Sequence, residues 1–348
     1  MGVAARALDA IRRPAVLRYL AYASLAVNIG IVVTGGAVRL TASGLGCPTW
    51  PSCTDDSLVP TPETSEHGVI EFGNRLLTFV VTAVAIATLV AALAQRRRDG
   101  RAGQVRARLA LAIFLGIPAQ AVLGGLTVLT GLNPWLVGAH FLLSMVLIAF
   151  AVLLIEATRT GPPRLPVRSG AAYAAHAARR WIAGLTVAAA AAVLVLGTIV
   201  TGSGPHAGAT DDEGVAHRTG LDPAGMSQAH ADAVMVLIGL TIGLVALSHV
   251  RPAPPGAARA AWILLAAELA QGALGYVQYF LHLPVLLVGL HMLGAGLVWV
   301  AALRAWLVAA PAAAGSTEQH RDGVDEQAHQ RADDRAVDPD ELKVPADL

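Results

Sequence analysis

Eight charge-poor stretches, each long enough to cross the roughly 30 Å hydrocarbon layer of a bilayer as a helix of about 20 residues, run through this chain. They extend from Tyr19 to Val38, Leu76 to Gln95, Leu109 to Thr130, Trp135 to Ile155, Trp181 to Gly202, Gln228 to Ser248, Ala260 to Leu281 and Pro284 to Leu303, with Glu268 the one acid inside the seventh. Lipid offers no partner to a backbone N–H or C=O, so spans of this length are expected as helices. Composition agrees: 55 % of the residues are hydrophobic and 14 % charged, and the mean hydropathy of +0.58 is too apolar for an ordinary soluble domain. The expected fold class is an all-α membrane protein with eight transmembrane helices.

Charge sets the expected orientation, because cytoplasmic loops gather Lys and Arg. Of the 25 basic residues, 18 fall on one side: four before the first span, six between Arg96 and Arg108, five between Arg159 and Arg180, and Arg251, Arg259 and Arg304. Only Arg39, Arg75 and Arg218 fall on the other, so both termini are expected in the cytoplasm, with the plasma membrane as the location. The basic start is read as leading into the first span, since no small-residue cleavage site precedes polar sequence. Residues 310–348 are polar, lack apolar periodicity and are expected as a disordered tail in which His320 and His329 are solvated.

The second half repeats the first. Ala119 to His140, AQAVLGGLTVLTGLNPWLVGAH, lies without gaps over Ala270 to His291, AQGALGYVQYFLHLPVLLVGLH, with Gln, Gly and the terminal His in register. Leu and Val matches would follow from apolar composition alone; those three would not. Thr34-Gly35 corresponds to Thr201-Gly202, and span two to span six, which sets Asn74 opposite His230. Four spans return the chain to the same side, so two pseudo-symmetric four-helix bundles are expected about an axis along the membrane normal. The expected parts are a cytoplasmic N-terminus at 1–17, halves at 18–158 and 181–309, a cytoplasmic linker at 159–180 and the tail at 310–348.

His140, His230 and His291 all fall near the outer ends of their spans. Ionisable side chains in a membrane segment usually face the bundle interior and mark function. A single interfacial histidine bonded to a backbone carbonyl would be unremarkable, but three at repeat-related positions point to haem, whose iron takes neutral imidazole from facing helices of an apolar bundle. His230 and His291 make such a pair. Zinc fits poorly, since no Cys or carboxylate in register completes four tetrahedral ligands. The N-terminal counterpart pairs His140 with Asn74, and asparagine is no axial ligand to iron.

His67, Glu71 and Asn74 are spaced i, i+4, i+7 and share one face if their helix reaches back that far. His67 reads either as a substitute ligand or as a loop residue at headgroup level. Glu71 reads either as a carboxylate that stabilises positive charge or moves protons beside a cofactor, or as an N-terminal acid complementing the helix dipole. Cys47 and Cys53, within GLGCPTWPSC, fall in the outer, oxidising compartment, where a bridge is expected as a staple or as a redox pair. Arg39 and Arg75 are candidate partners for haem propionates, because guanidinium matches a carboxylate fork.

TGGAVRLTASGLGCPTWPSC followed by HGVIEFGNR, with the repeated histidines and eight spans, resembles the haem A synthase family over residues 18 to 309. The resemblance implies oxidation of a ring methyl of haem O to a formyl group, giving haem A for cytochrome oxidase. By the same resemblance His230 and His291 are the ligands of a haem b cofactor, His140 a ligand of the substrate haem, and Glu71 the acid beside the catalytic haem. Cys47 and Cys53 then match a disulfide open to reduction. Asn74 departs from the family's Glu-x-x-His, which leaves the N-terminal iron one clear ligand and raises the interest of His67. The implied partners are haem O, the bilayer, a haem O synthase, a thiol-disulfide reductant and further copies of the chain, with no nucleic acid. Two rivals remain: a haem b electron-transfer cytochrome, which would need two full bis-histidine sites, and a haem carrier, for which Gly116 and Pro118 are the only cue to a broken helix.

Overall fold

The computed structural model describes residues 11–159, 171–206, 208–209, 217–250 and 253–309. The expected tail with His320 and His329, the first ten residues and residues 160–170 of the expected linker lie outside them.

Eight long helices account for the spans: α1 (Pro14–Leu40), α2 (Ser65–Arg96), α3 (Gly100–Leu129), α4 (Pro134–Ala157), α5 (Ala171–Ser203), α6 (Pro223–His249), α7 (Ala257–Phe280) and α8 (Val285–Ala309). Each is long and apolar enough to cross a membrane, and no strand occurs among the described residues. The chain is a multi-pass all-α membrane protein. Large apolar side chains lie on its outside, among them Tyr19, Phe79, Trp181 and Leu286, each more than 70 % exposed, as a lipid-facing surface requires.

Several helices outrun the apolar spans they contain, because hydropathy marks the part in lipid whereas backbone hydrogen bonding carries the helix further. α2 starts eleven residues before Leu76, so His67, Glu71 and Asn74 all lie on it. α5 starts at Ala171, ten residues before Trp181, and its buried Arg179 donates from Nε to the Leu247 carbonyl at 3.3 Å and from Nη2 to that of Val250 at 3.1 Å, capping the end of α6. Starts are fixed by familiar chemistry: Pro134 and Pro223 occupy first-turn positions, while Asn133 accepts from the Trp135 N–H and Asp222 from those of Ala224 and Gly225. α3 runs unbroken through Pro118, and an added Cβ on Gly116 would strike Leu147 of α4. Gly116 therefore serves close helix packing, and the broken helix that a carrier would show is absent at Pro118.

Within each half, every helix packs on its neighbours in sequence and the last closes on the first: α1–α2–α3–α4–α1 and α5–α6–α7–α8–α5. Between halves the contacts are α1–α8, α4–α5 and α4–α8, a network unchanged when one half is exchanged for the other. The connection after α3 and the one after α7 also fold alike. Gly131 and Leu132, like His282 and Leu283, have positive φ, and Leu132 N–H bonds the Thr127 carbonyl at 2.8 Å as Leu283 N–H bonds that of Gln278 at 2.7 Å. The sequences there, GLNP and HLP, keep only the leucine in register, yet the backbone turns alike.

One apolar cluster fills the N-terminal half, around Leu17, Ala85, Ile113 and Leu154. A larger one runs from α1 and α4 across the middle into α5–α8, including Ile148, Leu244, Leu264 and Trp299. Trp299 Nε1 donates to the Met145 carbonyl at 2.9 Å across the join. At the end of the molecule bearing the first long loop, the halves are tied again. Arg39 donates from Nε to the His206 carbonyl at 2.7 Å and from Nη2 to that of Thr201 at 3.0 Å, and Gly44 N–H reaches Gly208 O at 2.8 Å. At the opposite, arginine-rich end Arg304 of α8 pairs with Glu156 of α4 at 2.5 Å.

Candidate functional site

His140, His230 and His291 occupy matching niches near the loop end. Gln120 Nε2 on α3 donates to the His140 carbonyl at 3.2 Å, and Gln271 Nε2 on α7 to the His291 carbonyl at 2.7 Å. One turn beyond each glutamine is a glycine whose missing side chain makes room for the imidazole: a Cβ on Gly124 would lie 3.1 Å from His140 Cε1, and one on Gly275 3.2 Å from His291 Cε1. The Gln, Gly and His that the repeat keeps in register are thus one device built twice. His230 has its own cradle on α5, with a Gly197 Cβ 3.2 Å from its Cε1.

In all three rings Nδ1 is buried without a hydrogen-bond partner; the Val193 carbonyl lies beside His230 but outside hydrogen-bond geometry. Unsatisfied polar atoms in an apolar interior are costly and mark sites that serve a ligand. His230 and His291 are close enough for the charge on one to be felt at the other. Among the described residues no three His, Cys, Asp or Glu side chains converge, so an ion held wholly by side chains has no cage here. A cofactor that brings its own equatorial ligands and asks for two imidazoles in an apolar cleft fits that pair.

The N-terminal half is different. Asn74 accepts a hydrogen bond from Thr34 Oγ1 at 2.7 Å, which turns its amide onto α1. Gly30, the register equivalent of Gly197, would meet nothing within 4 Å of an added Cβ; the space that His230 fills in one half is open in the other. His67 Nδ1 bonds Ser43 Oγ at 2.9 Å, which fastens His67 to the first loop.

That loop closes over Glu71. Cys47 and Cys53 are bonded as a disulfide. The Cys47 N–H donates to Glu71 Oε2 at 2.8 Å, while Arg75 donates to Glu71 Oε1 from Nε at 3.1 Å and Nη2 at 2.5 Å. Arg75 also reaches the carbonyls of Ser52, Cys47 and Thr49 at 3.0, 3.0 and 3.1 Å. Close approach of loop to helix depends on glycine, since a Cβ on Gly46 would collide with the His67 backbone. Trp50 lies over α3, where a Gly125 side chain would strike its indole. Glu71 is 6 % exposed, so a buried acid, a guanidinium and a disulfide loop form one unit. Nothing in the spacing of Glu71, Arg75 and the cysteines announced this clamp, because the loop must first fold back on α2. Opening the ring with Cys53→Ser should cost about 2 kcal/mol through chain entropy, seen as a lower Tm in detergent.

A family model described as cytochrome oxidase assembly protein, COX15-CtaA, matches residues 18–303, which takes in every residue of the candidate site. The chain belongs to this family. It is similar to proteins named "Heme A synthase" from Lysinibacillus sphaericus (39 % identical over 142 residues, 40 % of this chain and 44 % of that one) and Geobacillus thermodenitrificans (32 % over 146 residues, 41 % and 44 %). A third, from Geobacillus kaustophilus, is 32 % identical over 163 residues, 47 % of this chain and 49 % of that one. The alignment to this member of the COX15-CtaA family spans about half the length of the curated relatives it matches.

Proposed function

We propose that the chain is a haem A synthase, an oxidoreductase that converts a ring methyl of haem O to a formyl group. The observation that carries this reading is the inequality of two otherwise matching halves: a cradled histidine pair in one, and in the other a single cradled histidine together with a buried carboxylate. A resident cofactor needs the first arrangement, and a haem that must be bound, altered and released needs the second.

His230 and His291 would hold haem b, which supplies one-electron chemistry when bound. His140 would take the iron of the substrate. Arg39 keeps Nη1 outside its bonds to His206 and Thr201 and is the candidate to meet a propionate, whereas Arg75 acts through Glu71. Glu71 would be the acid that takes a proton during oxidation of the methyl carbon or offsets positive charge in the transition state. Its Oε1 is held by Arg75 and its Oε2 by the Cys47 N–H, so its direction is set before substrate arrives. A thiol-disulfide reductant would act on the disulfide, which is joined to Glu71 through that N–H and has both cysteines buried, so the loop would have to open to admit it. The arginine-rich end would face the cytoplasm of a plasma membrane, with both termini there; the two four-helix halves, the polar linker and the tail are the functional parts. Haem O would be handed over by a haem O synthase.

A haem b relay with no substrate would require a second bis-histidine pair, and Asn74, turned to Thr34, does not provide one. The test is to express the chain in membranes that make haem O but no haem A and to extract the pigments. Haem A is expected; haem O and haem b alone would overturn the assignment.

A further inference from the structure

Glu268 on α7 plays no part in the site above, yet it is 3 % exposed and lies midway along a membrane-spanning helix. Its Oε1 accepts a hydrogen bond from Thr241 Oγ1 of α6 at 2.8 Å, and its Oε2 is buried with no partner. Leu237 and Leu244 of α6 and Leu264 and Leu265 of α7 belong to the apolar cluster of this half. The helices packed against α7 are α6 and α8. Their titratable groups are His230, Asp232 and His249 on α6 and His291 and Arg304 on α8, and among the described residues none is ion-paired with Glu268.

Position gives the acid its meaning. On α7, Gln271, which bonds the His291 carbonyl, and Gly275, which cradles the His291 ring, follow Glu268 at i+3 and i+7. At about 1.5 Å rise per residue the carboxyl lies roughly 10 Å along the axis from the Gly275 level. Thr241 is eleven residues, or three turns, from His230 on α6, so the hydroxyl shares the α6 face of His230, as the acid shares the α7 face of Gly275, which cradles His291. Half-buried Gly272, one turn from Glu268 toward that pair, would meet nothing within 4 Å of an added Cβ, so the bundle is not filled between them. In the other half the register-equivalent positions are Ala85 and Ile117. The acid and its hydroxyl accompany the complete histidine pair and are missing from the incomplete one.

We propose that Glu268 is a proton-binding site whose occupancy follows the oxidation state of an iron held by His230 and His291. The inference rests on the haem b reading of that pair. A ferric haem with two neutral imidazoles carries a net positive charge at its core, which favours a carboxylate nearby in a low-dielectric bundle. A one-electron donor reduces the iron and is itself oxidised by one electron; the core charge is lost, and an isolated carboxylate in this setting becomes unfavourable. One proton from water then forms an O–H bond at Oε2, and reoxidation of the iron releases it. No other bond changes.

The test uses the purified full chain loaded with haem b. Its midpoint potential is measured by mediated optical titration between about pH 5.5 and 8.5, with redox-difference infrared spectra in parallel. In the wild type the potential should fall as pH rises, and a protonated-carboxyl C=O band should appear on reduction. In Glu268→Gln the bis-histidine spectrum should persist, the slope should flatten and the band should vanish. A flat wild-type profile, or a Glu268→Gln profile and band equal to wild type, overturns the proposal. Should that variant not assemble, Thr241→Val removes the donor that favours the ionised form and should move the pH-dependent range upward; an unmoved profile overturns it equally. Failure of the underlying reading looks different: a wild-type preparation without bis-histidine absorption overturns the haem b assignment and this inference together.

Discussion

Glu71→Gln is expected to lower haem A formation by about 10²–10⁴-fold, the range over which a positioned acid or base contributes, while the haem b spectrum is retained. The amide is isosteric and can still accept from the Cys47 N–H, so the loop keeps its course; what disappears is the charge and the proton affinity. The measurement is pigment analysis of membranes that supply haem O, normalised to haem b. Glu71 is also the partner of Arg75, and stripping one member from a mostly buried pair leaves the other uncompensated. Glu71→Gln combined with Arg75→Gln separates the effects: the double variant no longer buries an unpaired charge, loses the Arg75 bonds to the loop carbonyls, and should stay inactive. Wild-type turnover in Glu71→Gln would remove the residue from the chemistry and leave it the role of holding the first loop through Arg75 and the Cys47 N–H; α2 starts at Ser65, so Glu71 lies beyond the first turn, where an acid would complement the helix dipole.

His291→Ala and His230→Ala should each abolish the bis-histidine absorption, because neither half of the pair has a substitute ligand nearby. His140→Ala should leave that absorption intact and stop haem A formation, and Asn74→Ala should change neither the spectrum nor its intensity. The contrast between His291→Ala and His140→Ala is the decisive one. Those two residues sit in equivalent niches with equivalent glutamine and glycine neighbours, so a shared structural role predicts equal effects and the proposed division of labour predicts opposite ones. Equal spectra from the two variants would refute it.

The eight helices and the repeat were legible because both are written in local composition: apolar length for the spans, and Gln, Gly and His in register for the niches. What Gly124 and Gly275 do, making room for the imidazoles, became visible only once the helices were packed. Three other features were not legible. The extent of α2 was hidden, because residues 65–75 are helical without being hydrophobic. Arg39 suggested a propionate partner by its charge and side, and two of its nitrogens are directed to carbonyls at the end of α5, a contact 162 residues away in sequence. The clamp of Arg75 on three loop carbonyls depends on a turn geometry that only the folded disulfide ring provides. Local pattern reports what a segment prefers; long-range hydrogen bonds report what it meets.

Bolting at both ends gives the join between halves a mechanical meaning. Arg39 and the Gly44–Gly208 contact fasten one rim, Arg304–Glu156 fastens the other, and Trp299 pins the middle. Two bundles so fastened cannot rock against each other without breaking hydrogen bonds or an ion pair at three depths, so a motion of one half would have to carry the other with it.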